Sequence, residues 1–167
     1  MKNVKKIIFS GLFAALACVA TIIIQISLPG GGYFNLGDCV VLSAGVVLGP
    51  VFGFFASAIG TCFADIFSGF AVYAPATFII KGVMALVIAL FYKKTKKLSL
   101  AFVGAIVAEA IMVLGYFLFE LAITSNFGTA ALGIPGNLIQ GLAGVVSSIA
   151  LITLITKNKV IKKFLLE

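Results

Sequence analysis

Hydrophobic residues run along this chain in long blocks separated by short breaks of lysine, glycine or proline, the pattern of helices that cross a bilayer. The first block, Ile7 to Leu28, is long enough at about 22 residues to span with some tilt. A cleavable leader would have a shorter apolar core and a small-residue cleavage site on a polar flank. This block instead runs into Pro29-Gly30-Gly31-Gly32 and is expected to be retained. The next stretch, Leu36 to Gly69, is interrupted only at Gly49-Pro50. As one straight helix its roughly 34 residues would reach about 51 Å, too far for a hydrocarbon core of about 30 Å. Two spans of about 17 residues turning at Gly49-Pro50 fit, with a re-entrant pair as the alternative. A fourth span covers Ala74 to Tyr92, a fifth Leu98 to Ile123 and a sixth Ile134 to Ile155, with Thr124 to Gly133 as a loop between the last two. No repeat or linker divides the chain, so residues 1–167 read as a single integral-membrane domain. The predicted fold is an all-α membrane protein, a compact bundle of six transmembrane helices.

Composition supports this. Of 167 residues, 62% are hydrophobic and 10% charged, with a mean hydropathy of +1.26. A soluble domain carries about 25% charged residues, so there is too little charge here to cover a water-facing surface, and no length left for an aqueous catalytic module. The chain has no His, Trp or Arg. Histidine-based nucleophile pairs, imidazole metal sites and histidine proton relays are therefore excluded. Cys18, Cys39 and Cys62 stand singly in apolar runs, at no metal-ligand spacing and in an odd number. Neither enzyme chemistry nor a metal or cofactor is expected.

The net charge of +7 is arranged for topology rather than for nucleic acid. Lys2, Lys5 and Lys6 precede span one, Lys93, Lys94, Lys96 and Lys97 lie between spans four and five, and Lys157, Lys159, Lys162 and Lys163 follow span six. With six spans these clusters share one face, which the positive-inside rule makes cytoplasmic, together with both termini. A multi-pass protein of the cell membrane is the expectation.

Lys81 is the lysine left over, inside the fourth span. Ionisable groups in hydrocarbon are costly and tend to face a partner or a cavity, so each is a candidate site residue. Asp38 stands at the outer mouth of span two, and Asp65 and Lys81 lie about 6 Å and 10 Å below the outer ends of their spans. Glu120 is near the outer end of span five, Glu109 close to the midplane, and Asn137 and Gln140 in the outer turns of span six. Helical phase places Glu109, Tyr116 and Glu120 on one face, as it does Tyr73, Thr77 and Lys81, and likewise Asn137 and Gln140 with Gly144 and Ser148. Three polar faces can converge on an outward-facing pocket walled by Phe and Leu, the anatomy of a small-molecule site. The alternative is that Lys81 neutralises Asp65 or Glu120 and the amides bind helices together.

The inner half of the chain is smoother. Ser10, Ala14 and Cys18 recur every four residues beside Gly11 and Ala15, and Gly53 and Ser57 run beside Ala56, Gly60 and Ala64. Such stripes let helices pack closely, within the bundle or against another membrane subunit. Nothing in the chain powers transport: it has no Gly-rich phosphate loop and no pseudo-repeat of the secondary-transporter kind.

The glycine-rich first loop, Tyr33-Phe34-Asn35-Leu36-Gly37-Asp38, Leu48-Gly49-Pro50 with Gly53, and Tyr73-Ala74-Pro75 through Thr77 to Lys81-Gly82 come in an order that resembles the substrate-binding S component of an energy-coupling factor (ECF) vitamin transporter. The resemblance covers nearly the whole chain and is densest from Tyr33 to Gly82. It implies capture of a vitamin or precursor on the outer side, with Tyr33 and Asn35 joining the pocket residues. A transmembrane scaffold subunit and two ATPase subunits would then drive release inward. It also implies that the first helix contacts the scaffold. The family's Ala-x-x-x-Ala pattern is matched here by Gly11 to Ala15 and Ser10 to Ala14, so small size is kept and the letter pattern is not.

The candidate lining sets four carboxyl groups against one ammonium, which disfavours a permanently anionic vitamin. A neutral or weakly basic aromatic ring carrying hydroxyl or amino groups suits it, pyridoxine-like or hydroxymethylpyrimidine-like, with riboflavin next. The competing reading is a self-sufficient proton-coupled small-molecule transporter using Glu109.

Overall fold

In a computed structural model, which describes residues 3–27 and 33–159, the apolar blocks become helices that close into one bundle. Helix α1 covers Asn3–Ile23, α2 Gly37–Leu48, α3 Pro50–Phe67, α4 Ala74–Thr95, α5 Leu98–Thr124 and α7 Ile134–Lys157. Five helical segments among the described residues are long and apolar enough to cross a membrane. Large apolar side chains, among them Ile8, Val51, Leu90, Leu142 and Val146, project outward from them. That surface would be untenable in water and is the expected one in lipid.

The second apolar block departs from two equal spans. The turn falls at Gly49-Pro50 as expected: Gly49 adopts φ 82° and ψ −178°, a region open in practice to glycine alone, and Pro50 opens α3. But α2 has 12 residues, a length of about 18 Å, too short to cross. It can be short because most of it is covered by other helices rather than lipid. Val41, Leu42, Ser43, Ala44 and Gly45 are all buried, and α2 packs against α1, α3, α4 and α7 at the centre of the bundle. A helix apolar all round is a core helix. Around it Val41 and Leu42 meet Met84 and Ile88 of α4, Ala105 and Met112 of α5, and Ile152 of α7.

Two further expectations are corrected. The first span stops at Ile23 instead of Leu28, because Ile26–Ser27 (β1) pairs antiparallel with Tyr33–Phe34 (β2), Ile26 opposite Phe34 and Ser27 opposite Tyr33. Gln25 anchors this departure from helix by donating from Nε2 to Ser68 Oγ at 2.6 Å. The segment Thr124–Gly133 contains a short helix, α6, Phe127–Ala131. Asn126 starts it by accepting the Thr129 N–H at 3.0 Å, an ordinary N-cap. Gly30 to Gly32, and Lys2, Lys162 and Lys163, lie outside the described residues.

At the end of the bundle opposite β1, β2 and α6, α4 turns into α5 through Lys96, left-handed at φ 55° and donating its N–H to Tyr92 O. Lys6 of α1 stands there over the Phe52 ring of α3, 5.7 Å from its centre. Apart from Lys81, the described lysines therefore gather at one end, and the hairpin and α6 lie at the other.

Candidate functional site

Short elements at the hairpin end bring the polar residues together. β2 delivers Tyr33, and its exit places Asn35, whose Oδ1 accepts the Gly37 N–H at 2.9 Å and so starts α2. Asp38 follows in the first turn of α2, and Asp65 lies in the last turn of α3. Tyr73 enters α4, where Thr77 and Lys81 stand one and two turns below it. Tyr116 and Glu120 come from the C-terminal half of α5, and Asn137 and Gln140 from the start of α7.

Nine of the twelve expected binding residues line one cavity: Tyr33, Asn35, Asp65, Tyr73 and Thr77 from the first half of the chain, and Tyr116, Glu120, Asn137 and Gln140 from the second. The space between them is about 20 Å³, the size of a water, while pockets that hold drug-sized ligands have about 300–1,000 Å³. The cavity is shut. A larger hollow of about 400 Å³ lies between α5 and α7, but its lining is nearly all apolar. The chemistry is in the small one.

A connected set of hydrogen bonds forms the floor and one wall. Lys81 Nζ donates to Asp38 Oδ1 in an ion pair whose side chains are 2% and 1% exposed. Asp38 Oδ2 accepts from Gln140 Nε2 at 2.6 Å, and Gln140 Oε1 accepts from the Asn35 backbone N–H at 2.9 Å and from Asn35 Nδ2 at 3.3 Å. The strand exit is thereby tied to α2, α4 and α7. The Lys81 ammonium also sits 5.6 Å from the centre of the Tyr116 ring, a cation–π distance. The partner of Lys81 is thus Asp38, not Asp65 or Glu120. Asp38 is no surface residue at a helix mouth, because β2 and α7 cover it.

Across the cavity, Tyr33 donates its hydroxyl to Asp65 Oδ1 at 2.6 Å, and the Thr77 and Tyr116 hydroxyls lie 2.9 Å apart. Burial, then the hydrogen bond to Asp65, pushes the Tyr33 hydroxyl well above its ordinary value. Burial, then the neighbouring Glu120 carboxyl, pushes Tyr73 up to about 12. Both phenols therefore remain protonated donors at neutral pH. Asp65 Oδ2 and Glu120 Oε2 are buried without a hydrogen-bond partner. Since Lys81 is engaged by Asp38, the cavity wall presents two spare carboxyl acceptors and no cation to match them. An arriving molecule with O–H or N–H groups would satisfy them.

Sequence reasoning expected phenylalanines in the wall but did not name Phe70 or Phe119. Phe70 stacks obliquely on Tyr33 at 4.7 Å, and Phe119 meets Tyr73 edge-on at 5.3 Å. Phe119 precedes Glu120, so the polar phase of α5 gave the only signal for it. Glu109 shares that phase but does not line the cavity; it lies deeper, against Gly141 and Gly144 of α7.

The small-residue stripe of α1 divides in two. A Cβ on Gly60 would come within 2.2 Å of Ala14 O, so α1 and α3 touch backbone to backbone there. Ser10, whose hydroxyl donates to Lys6 O at 2.8 Å, is half-buried like Ala14 and Cys18. Gly11 and Ala15 are exposed on the outer side.

Comparison with known proteins places this geometry in context. A family model described as the S component of an ECF-type riboflavin transporter matches residues 1–157. A protein of Pyrococcus woesei, described as an uncharacterized protein in a gap 3′ region, is 29% identical over 129 residues, covering 77% of this chain and 86% of its own. A solved structure, described as the S component of a bacterial ECF transporter, superimposes with a TM-score of 0.75 at 22% identity, over 93% of this chain and 97% of its own. At that identity the structural likeness speaks for the fold.

Proposed function

The chain belongs to the family of ECF-type riboflavin transporter S components, and from that premise we propose that the small polar cavity is its vitamin-capture site. The family is a substrate-binding component of transporters rather than a class of enzyme. The observation that carries the reading is the pair of unpartnered buried acceptors, Asp65 Oδ2 and Glu120 Oε2, facing a space framed by Tyr33, Tyr73 and Tyr116. They call for a flat ring that stacks on the phenols and donates hydrogen bonds, neutral or weakly basic, never permanently anionic. The family description moves riboflavin, with its imide N–H and ribityl hydroxyls, ahead of pyridoxine-like and hydroxymethylpyrimidine-like rings.

Entry of such a ring requires the Tyr33–Asn35 segment to leave Asp65 and Gln140, because about 20 Å³ cannot hold it. The hydrogen bonds to Asp65 and Gln140, the Phe70 contact and the short β1–β2 pairing resist that step. The lysine-bearing end lies in the cytoplasm by the positive-inside rule, so both termini are inside the cell membrane and the cavity faces out. Release inward is driven by a scaffold subunit and two ATPase subunits. The scaffold docks on α1 along Gly11 and Ala15, flanked by Ser10, Ala14 and Cys18, where small side chains admit close helix approach.

The test is equilibrium binding of radiolabelled riboflavin, pyridoxine, hydroxymethylpyrimidine and biotin to the purified chain, without nucleotide. Saturable binding of one neutral ring, weakened in Asp65→Asn, is expected. Preference for biotin, or an Asp65→Asn affinity equal to the original, would overturn the assignment.

A further inference from the structure

The hollow between α5 and α7 is a different kind of place from the outer cavity. Its walls come from Val113 and Leu114 on α5 and from Leu138 and Leu142 on α7, of which the three leucines are exposed. A groove of about 400 Å³ therefore opens sideways, toward hydrocarbon.

One lining residue breaks the apolar pattern. Glu109 is 5% exposed, and neither of its carboxyl oxygens has a hydrogen-bond partner. Its space is provided by α7: a Cβ on Gly144 would lie 2.2 Å from Glu109 Oε1, and one on Gly141 would lie 3.2 Å from Glu109 Cβ. The same Cβ on Gly144 would meet Asp38 at 3.0 Å, so the Asp38 side chain is the next group inward. That carboxylate is already bound by Lys81 and Gln140. Glu109 is thus an unpaired carboxyl behind the wall of a lipid-side groove: its enclosed oxygens lie against Gly141 and Gly144 with Asp38 beyond, and a turn of the side chain past Gly141 would bring them into the groove.

A polar group in that position is costly until a donor reaches it, and the donor has to arrive through hydrocarbon with an apolar body that fits the groove. An acyl chain would fill the space and leave the carboxyl alone. A fatty acid would add a second carboxyl. An amine on a compact apolar body meets both demands, because its nitrogen and Glu109 share one proton and the pair stays neutral overall in either arrangement.

We infer that the α5–α7 groove is a second binding site, reached from the lipid, for a lipophilic amine whose nitrogen lies at Glu109. It is separate from the capture cavity and stands whether or not the capture reading holds.

The test uses the full chain in lipid nanodiscs and three probes with the same body: 1-aminoadamantane, 1-adamantanol and adamantane-1-carboxylate. Tritiated 1-aminoadamantane should bind saturably at one per chain, and adamantane-1-carboxylate should not displace it. Ala110→Phe fills the groove from an exposed position of α5 and should weaken binding about tenfold or more. Glu109→Gln should weaken it by a similar factor, that of one charge-assisted hydrogen bond. Dicyclohexylcarbodiimide, which reaches buried carboxyls from lipid, should label Glu109 of the unaltered chain, located by peptide mass, and 1-aminoadamantane should protect it. Non-saturable uptake, equal displacement by the carboxylate, an unchanged Ala110→Phe affinity, or labelling of Glu109 that the amine does not slow would each overturn the inference. The last two arms decide the matter even if Glu109→Gln fails to fold.

Discussion

Replacing Lys81 by Met isolates the energetic role of the ion pair beneath the cavity. Lys81 and Asp38 are 2% and 1% exposed, so neither charge has water to fall back on. In Lys81→Met the Asp38 carboxylate keeps the Gln140 amide and loses its counter-charge. Removing one partner of a buried pair costs about 3–5 kcal/mol, against a total stability of about 5–15 kcal/mol for a typical domain. Asp38→Asn leaves the ammonium with an amide oxygen and the Tyr116 ring and should cost a similar amount. The double variant removes both charges while the side chain at position 38 still faces Gln140. It should be more stable than either single variant by about 2 kcal/mol or more, because replacing a whole buried pair is close to neutral. The assay is equilibrium unfolding in mixed micelles by SDS titration, followed by circular dichroism, on all four proteins. If Lys81→Met costs less than about 1 kcal/mol and the double variant is no better than additive, Lys81 is solvated and the enclosed floor of the site is wrong.

Other perturbations separate the roles assigned here. Asp65→Asn and Glu120→Gln each remove one carboxyl acceptor from the cavity wall, worth about 0.5–3 kcal/mol, so ligand dissociation constants should rise about 2- to 150-fold with folding intact; equilibrium binding measures both. Ala15→Trp should leave ligand binding unchanged and abolish uptake in cells carrying the partner subunits, and sustained uptake would move the docking surface off the outer side of α1. Gly60→Leu should lower stability by about 1–3 kcal/mol by forcing α1 from α3 where Gly60 meets Ala14 O, read from the same SDS titration. Gly49→Ala should cost about 1–3 kcal/mol through its backbone, held at φ 82° between α2 and α3, with no effect on ligand affinity once folded.

How much of this was legible in the sequence depended on the range of the signal. Hydropathy and lysine placement bounded the long helices, and the depth of Asp65, Lys81, Glu120, Asn137 and Gln140 along their spans located the cavity. Helical phase gave faces but not cavities: Glu109 and Glu120 share a face of α5, yet the eleven-position step from one to the other separates them by about 16 Å, and only Glu120 lines the polar cavity. The partner of Lys81 was out of reach for a similar reason. Asp38 lies under the bundle cap only because α2 is the central helix, and nothing in its run of Val, Leu, Ala and Gly distinguishes a helix wrapped in protein from one wrapped in lipid. Two-residue strands such as Ile26–Ser27 and Tyr33–Phe34 are too short for any alternation to register. The polar and small residues from Thr124 to Gly133 read as loop, and α6 at five residues is too short for a periodic signal.

The central claim is that this chain holds its ligand and moves nothing by itself. The direct measurement is labelled riboflavin with the purified chain, first in nanodiscs and then in sealed proteoliposomes bearing an inward proton gradient. The account predicts one ligand bound per chain and no accumulation in the lumen until scaffold and ATPase subunits are supplied with ATP. Gradient-driven accumulation by the chain alone, lost in Glu109→Gln, would contradict it and establish a self-sufficient transporter.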